Sequence, residues 1–251
     1  MWGRTLLRWE DVKGVYQLGK KVSAIKILDS KLKMVLSCRK SWPVYVSFEE
    51  DMKFRKEKWT EKYGDQRVVM WDDTNLSFRH KPSTALNQRI SYSSYYAENC
   101  AKGGVFLQMC GWMGVEDLWT GAISDTLYQT KTGIFQKQCD FVKHDRVNDK
   151  EIPFTNIVDK GYRISMAAWR AGKQLVLQPV FANSDRKFTG KETILSASVA
   201  SDRSGNERAV NRAKASHYLQ RGLEPNMNPS RLNNVWLAWS FQANFMYKPV
   251  L

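Results

Sequence analysis

Beyond residue 65 the chain alternates short apolar runs with stretches of helical periodicity, and this alternation restricts the fold more than any other feature of the sequence. Val68-Val69-Met70-Trp71 stops at Asp72-Asp73. Gly104–Trp112, bordered by Lys102-Gly103-Gly104, and Leu118–Ala122 read as the next two strands, each short, apolar and closed by turn residues. A helix is predicted to start at Ser124-Asp125, with Ser124 as cap and the Asp125 carboxylate at the positive helix terminus. Phe154–Val158 follows as a buried strand that stops at Asp159-Lys160-Gly161, and Gln174–Val180 as another that ends at Pro179. A long helix through Thr193–Leu219 carries Glu207. Trp236–Tyr247 closes the chain as an aromatic helix whose Trp236, Trp239, Phe241 and Phe245 read as core or dimer packing. Strands that come first and then alternate with helices predict an α/β domain with a mixed sheet.

Residues 1–65 follow another pattern. Val22, Ile25, Ile27, Leu28, Leu32 and Val35 recur near helical spacing among lysines, Trp42-Pro43 interrupts them, and a second, polar helix is predicted through Glu49–Tyr63. No internal repeat or low-complexity linker follows, so this helical N-terminal segment is expected to pack on a domain formed by residues 66–251. A chain of 251 residues has room for that arrangement and not for several domains.

Charge narrows the class of partner. With 39 Lys+Arg against 25 Asp+Glu the net charge is +14, the balance of a protein that meets a polyanion. The basic excess lies in residues 1–65 and 160–221, while residues 66–159 are slightly acidic. Such a distribution suits a metal-binding carboxylate cluster bordered by surfaces that hold phosphates; a solvated basic face explains the total equally well. Cys38, Cys100, Cys110 and Cys139 form no CxxC pair, and His80, His144 and His217 do not stand near them, which excludes a zinc finger and suggests reduced thiols inside a cell. There is no apolar run of spanning length, and no signal-peptide core follows Met1, so neither membrane insertion nor secretion is expected.

Three acids stand where a sheet could gather them. Asp72 and Asp159 each follow a predicted strand, and Glu207 lies on a predicted helix. In an α/β sheet ligands collect beyond strand ends, so two such acids and a third from a neighbouring helix can surround a divalent cation. Hard carboxylate oxygens suit Mg²⁺ or Mn²⁺, and two such ions can activate a nucleophile and stabilise the leaving oxygen of a phosphodiester. A lone Asp at a strand end is otherwise a turn or cap residue. On the helix, Arg203, Glu207, Val210 and Lys214 fall on one side, and Arg208 and Arg212, alike in sign and four apart, do not suit i,i+4 ion pairing. Lys160, Arg203, Arg208 and Lys214 are therefore candidates for phosphate contact. Tyr92, Tyr95 and Tyr96 read either as core or as stacking partners for unpaired bases, core being the commoner role.

Five ordered blocks carry a resemblance. Trp71-Asp72-Asp73-Thr74-Asn75-Leu76 comes first, then Tyr92-Ser93-Ser94-Tyr95-Tyr96 with Cys100-Ala101-Lys102-Gly103-Gly104. Trp119-Thr120-Gly121-Ala122-Ile123-Ser124-Asp125, Val158-Asp159-Lys160-Gly161-Tyr162 and the stretch from Arg203 through Glu207-Arg208 to Lys214 follow. Together, over roughly residues 66–220, they resemble the DDE-superfamily endonuclease domain of Harbinger-type transposases. The resemblance implies a ribonuclease H-like mixed sheet flanked by helices and metal-dependent cleavage and joining of DNA. It also implies a two-metal site for Mg²⁺ or Mn²⁺, with Asp72, Asp159 and Glu207 as the first, second and third acids. Where the family has Gly after its first acid this chain has Asp73, which shares or competes for the role of Asp72. Asn206 stands where a more apolar residue is usual, and Asp125 is an accessory acid or a helix cap. The implied partner is DNA, as transposon ends and target. No sequence-reading motif is evident, which leaves room for a separate DNA-binding partner protein and for a homo-oligomer. The implied location is intracellular and, in a eukaryote, nuclear. A domesticated descendant that binds DNA or protein without cutting is the competing expectation.

Overall fold

A computed structural model describes residues 21–41, 44–180, 188–225 and 228–247. The first 20 residues of the expected N-terminal helical segment, and the Trp42-Pro43 interruption, lie outside the described residues. Ahead of the sheet come α1 (Lys21–Ser41), α2 (Phe48–Phe54) and α3 (Glu57–Tyr63). Two short helices thus stand where one through Glu49–Tyr63 was expected. The break is at Arg55, whose extended backbone lets its buried guanidinium pair with Asp51 and donate to the carbonyls of Gly64 and Gln66.

The mixed sheet is built on β1 (Arg67–Ser77) and β3 (Glu98–Gln108), an antiparallel pair in which Asp72 stands opposite Val105. On the far edge of β3 lie β4 (Met113–Val115) and β5 (Trp119–Thr120), while β2 (Tyr92–Ser93) follows the small helix α4 (Ala85–Ser91) and pairs with the start of β3. On its other edge β1 runs parallel to β6 (Phe154–Ile157), and β6 parallel to β7 (Leu175–Leu177). Parallel neighbours need crossovers. These are α5 (Asp125–Lys131) with α6 (Ile134–His144), and then α7 (Ser165–Gly172).

β1 does not stop at Asp72 as the apolar run suggested. Pairing with β3 carries it to Ser77, while its pairing with β6 ends at Met70. Asp72 therefore lies inside a strand, just past the point where the β1–β6 ladder ends. β3 is likewise shifted from Gly104–Trp112, beginning at Glu98 and ending at Gln108, because Cys100–Lys102 pair with Asn75–Ser77 of β1 and Glu98 and Asn99 pair with β2.

Each face of the sheet has its own core, set by the alternation of β1. Val68, Met70 and Leu76 pack with Trp236 and with α8 (Gly190–Ala213) and α10 (Pro229–Met246). Val69 and Trp71 pack with Phe106, Ile134 and Ala168 under α6 and α7. α8 starts with a capping box, Thr189 with Glu192, and ends at Ala213 short of the expected Leu219; a separate turn, α9 (His217–Gln220), follows. α10 starts at Pro229, capped by Asn228, well ahead of Trp236. Trp236 and Trp239 are core, as one of the two expectations had it, while Phe245 is exposed. Trp236 lies so close over Gly103 that a Cβ there would come within 2.9 Å of its ring, which requires glycine at that point of β3.

The N-terminal segment is joined to this domain by specific bonds. Val46 N–H donates to Gln108 Oε1 at 2.8 Å, Cys110 N–H to Asp51 Oδ1 at 2.8 Å, and Tyr63 and Lys62 both bond to Asp202 of α8. No helix among the described residues is long and apolar enough to cross a membrane.

Candidate active site between β1 and β6

Successive residues of a strand face opposite ways, so Asp72 and Asp73 cannot serve one site together. Asp72 shares its face with Met70 and turns toward α8. Asp159 lies two residues past the end of β6, and because Met70 pairs with Ile157 the two acids stand level across the opening between the strands. Between them sits Arg203 of α8, with a guanidinium nitrogen 2.7 Å from Asp159 Oδ1 and another 3.8 Å from Asp72 Oδ2. Local backbone orients both carboxylates: Asp73 N–H donates to Asp72 Oδ1 at 3.0 Å, and Lys160 N–H to Asp159 Oδ1 at 2.6 Å.

Burial raises Asp72 from the ordinary 3.8 to about 6; Arg203 opposes the rise and Asp159 adds to it. Above about pH 6 the side chain is therefore a desolvated carboxylate. Asp73, on the other face, is pushed well above the carboxylate range by burial and by Asp125, against the pull of Lys102. One of its oxygens accepts from Gln129 at 2.9 Å, and the other is buried without a partner within the protein. Asp125 is the first residue of α5, capped by Ser124 as expected, and its carboxylate pairs with Lys102. The buried phenol of Tyr162 feels Asp73, Asp72 and Asp125 after the effect of burial itself, which holds its proton well above the usual value.

No protein-family model, curated protein or solved structure matches the chain.

The structure brings Asp72 and Asp159 together and leaves Glu207 at the rim. Glu207 is exposed on α8, one turn beyond Arg203 and on the same flank. Among the described residues no three His, Cys, Asp or Glu side chains converge on one point. The neighbouring Asn206 turns inward instead, 1% exposed, with neither end of its carboxamide bonded within the protein. Of the basic candidates, Arg203 is engaged by the two acids, and half-buried Lys214 donates to the Asn75 carbonyl at 3.0 Å. Lys160 and Arg208 are exposed.

The donor set suits a hard divalent cation, since two oriented carboxylates face each other and the single guanidinium between them leaves the pair with one net negative charge. Sequence reasoning named Arg203 but gave it to phosphates. Its position four residues before Glu207, on the same flank of the helix, was the available signal for a role among the acids. Nothing in the sequence marked Gln129. The tyrosines correct the commoner reading: Tyr92, Tyr95 and Tyr96 are exposed, not core.

Proposed function

We propose that the chain is a metal-dependent DNA endonuclease and strand-transferase of Harbinger-like type on a ribonuclease H-like scaffold. The observation that carries the reading is the meeting of Asp72 and Asp159 at the splay of two parallel strands, beneath the helix that bears Glu207. The strand arrangement supports it. A long β1 is flanked by antiparallel β3 on one side and by parallel β6 and β7 on the other, with a C-terminal helix across one face.

In this reading Asp72 and Asp159 would hold the cation, and Glu207 on the rim would be the third acid. The cation, when bound, activates water or a strand-end hydroxyl and offsets charge on the leaving oxygen. The chain's own groups do the rest. Arg203 holds the two carboxylates apart from each other's charge while they are metal-free, and then becomes available to a phosphate oxygen. Lys160 and Arg208 flank the site as phosphate contacts. DNA is the macromolecular partner. The same reading leaves room for a separate sequence-reading protein and for self-association and, in a eukaryote, implies a nuclear location.

One observation favours a second, catalytically silent reading: Arg203 already satisfies both acids, and the third acid is remote from them. The readings part on cation binding. Mn²⁺ at about a hundred times its dissociation constant stabilises a protein that binds it by about 2.7 kcal/mol, a shift of several degrees in melting temperature. Wild type is expected to show this shift and Asp159→Asn to lose it. A wild type that melts alike with Mn²⁺ and with chelator makes the pair a structural ion triad and supports the silent reading.

A further inference from the structure

The crossover helix α7 divides its residues sharply. Its inner face is small and apolar: Ile164 and Ala168 are buried, and Ala167 and Ala171 pack with them on the side of the sheet that holds Val69 and Trp71. Its outer face carries Met166, Trp169 and Arg170 at i, i+3 and i+4, and Lys173 follows at the C-terminal cap, all four exposed. Met166 is 63% and Trp169 53% exposed, where an amphipathic helix keeps its charged and polar residues. The charge here is of one sign. From Lys160 to Val180 the chain has Lys160, Arg163, Arg170 and Lys173, all exposed, and no Asp or Glu, whereas a solvated helix face ordinarily mixes both signs.

The face is held in place from behind. Lys173 ends α7 in the left-handed region, φ 55°, with its N–H donating to the Trp169 carbonyl at 2.8 Å. Cys139 of α6 donates from Sγ to the Ala171 carbonyl at 3.1 Å, and a Cβ on Gly172 would come within 2.4 Å of that sulfur. Asp140, next to Cys139 on α6, is bonded to Gln136 and Lys143, each at 3.0 Å.

At its N-terminal end the face opens into a cleft of about 360 Å³ lined by Arg163, Ser165, Met166 and Gln178. Ile164 gives the helix no side-chain cap, and Gln178 Oε1 is buried without a partner within the protein, so the cleft offers both donors and an acceptor. The Arg163 N–H donates to Thr126 Oγ1 at 3.2 Å, which ties this end to α5. Because α7 covers the face of the sheet opposite to α8, the surface is separate from the Asp72–Asp159 site.

We infer that the outer face of α7, from the cleft at Arg163 to Lys173, binds a single strand of DNA, with Arg163, Arg170 and Lys173 meeting phosphates and Trp169 stacking on an unpaired base. A strand suits the face better than a lipid surface does. Two exposed apolar side chains on a short helix bury too little area to hold it in a membrane, whereas an aromatic ring set among cations tracks a backbone and stacks its bases. The nuclease reading supplies the kind of polyanion, and the surface is additional to it.

The test is equilibrium binding of the full chain, in chelator, to a fluorescein-labelled oligothymidylate over a series of salt concentrations. The Arg170→Ala/Lys173→Ala variant is expected to bind more weakly and to lower the slope of log affinity against log salt by about 1.4, at about 0.7 for each phosphate contact removed. Trp169→Ala should weaken binding about tenfold with the slope unchanged, and Trp169→Phe should keep most of the affinity. The substituted side chains are exposed, so melting temperatures like that of wild type will show that the variants fold. Variants that bind as wild type does, with the same slope, overturn the α7 surface. A wild type that does not bind the oligonucleotide overturns it too, and loss of phosphatidylserine-vesicle binding in the double variant would then make the face a membrane contact. Mn²⁺-dependent nicking of duplex DNA by that same protein would leave the nuclease reading standing.

Discussion

Asp72→Asn tests the electrostatics of the site without any substrate. A rise from 3.8 to about 6 means that the folded chain binds this proton more tightly than the unfolded chain does. The sign follows from that. Below pH 4 the carboxyl is protonated in both states and costs nothing; as pH rises through the window from about 4 to 6 the folded state loses stability, and above 6 the full cost is present. At about 1.4 kcal/mol for each tenfold change in proton affinity the cost is about 3 kcal/mol. With the side chain 25% exposed, solvent screening reduces it to about 2 kcal/mol. Asparagine has the shape of the protonated acid and no charge to desolvate. In chelator, urea unfolding should give equal stabilities for wild type and Asp72→Asn near pH 4, and a variant more stable by about 2 kcal/mol at pH 7.5. A difference that does not change with pH, or a variant less stable at pH 7.5, would refute the account of Asp72 as a buried acid under strain from Asp159.

Arg203→Met removes the cation that lies between the two acids, and should destabilise the metal-free protein by about 1–2 kcal/mol at pH 7.5, with Mn²⁺ restoring more stability than it adds to wild type in the same urea series. Glu207→Gln changes an exposed side chain, so its stability should stay within about 0.5 kcal/mol of wild type while metal-dependent cleavage falls; a large loss of stability on unfolding would show a structural role instead. Gly104→Ala would put a Cβ 2.7 Å from the Tyr128 ring, whose hydroxyl accepts from Gly104 N–H and donates to the Asp117 carbonyl, and should cost about 1–3 kcal/mol in the same measurement.

Much of the sheet was legible because apolar runs such as Val68–Trp71 and Phe154–Val158 are buried on both faces and need no partner to announce them. What was not legible depended on pairing. β1 continues through Asp72–Ser77 only because β3 offers it a ladder, and the polar start of β3 is a strand for the same reason. The break at Arg55 arises from carbonyls at Gly64 and Gln66 that only the fold brings near. In the site, spacing was enough to nominate Asp72 and Asp159 but not to choose between Asp72 and Asp73; alternation along an established strand separates them. Helical spacing put Arg203 and Glu207 on one flank correctly. It could not say that the arginine reaches the acids while the glutamate stays in solvent, since that depends on how α8 is rotated over β1. The tyrosines were misread because burial is the usual fate of aromatics, and a short turn at the end of a hairpin holds them out.

Nicking of supercoiled duplex DNA by purified protein, with Mg²⁺, Mn²⁺ or chelator, tests the central claim most directly. The claim is that Asp72 and Asp159 form a cation-dependent phosphodiester-cleaving centre. Wild type should nick with either cation and not with chelator, and folded Asp72→Asn and Asp159→Asn should each lose at least a thousandfold in rate, because neither carboxylate alone holds the ion. Cleavage by Asp159→Asn at the wild-type rate, or by wild type in chelator, would contradict it.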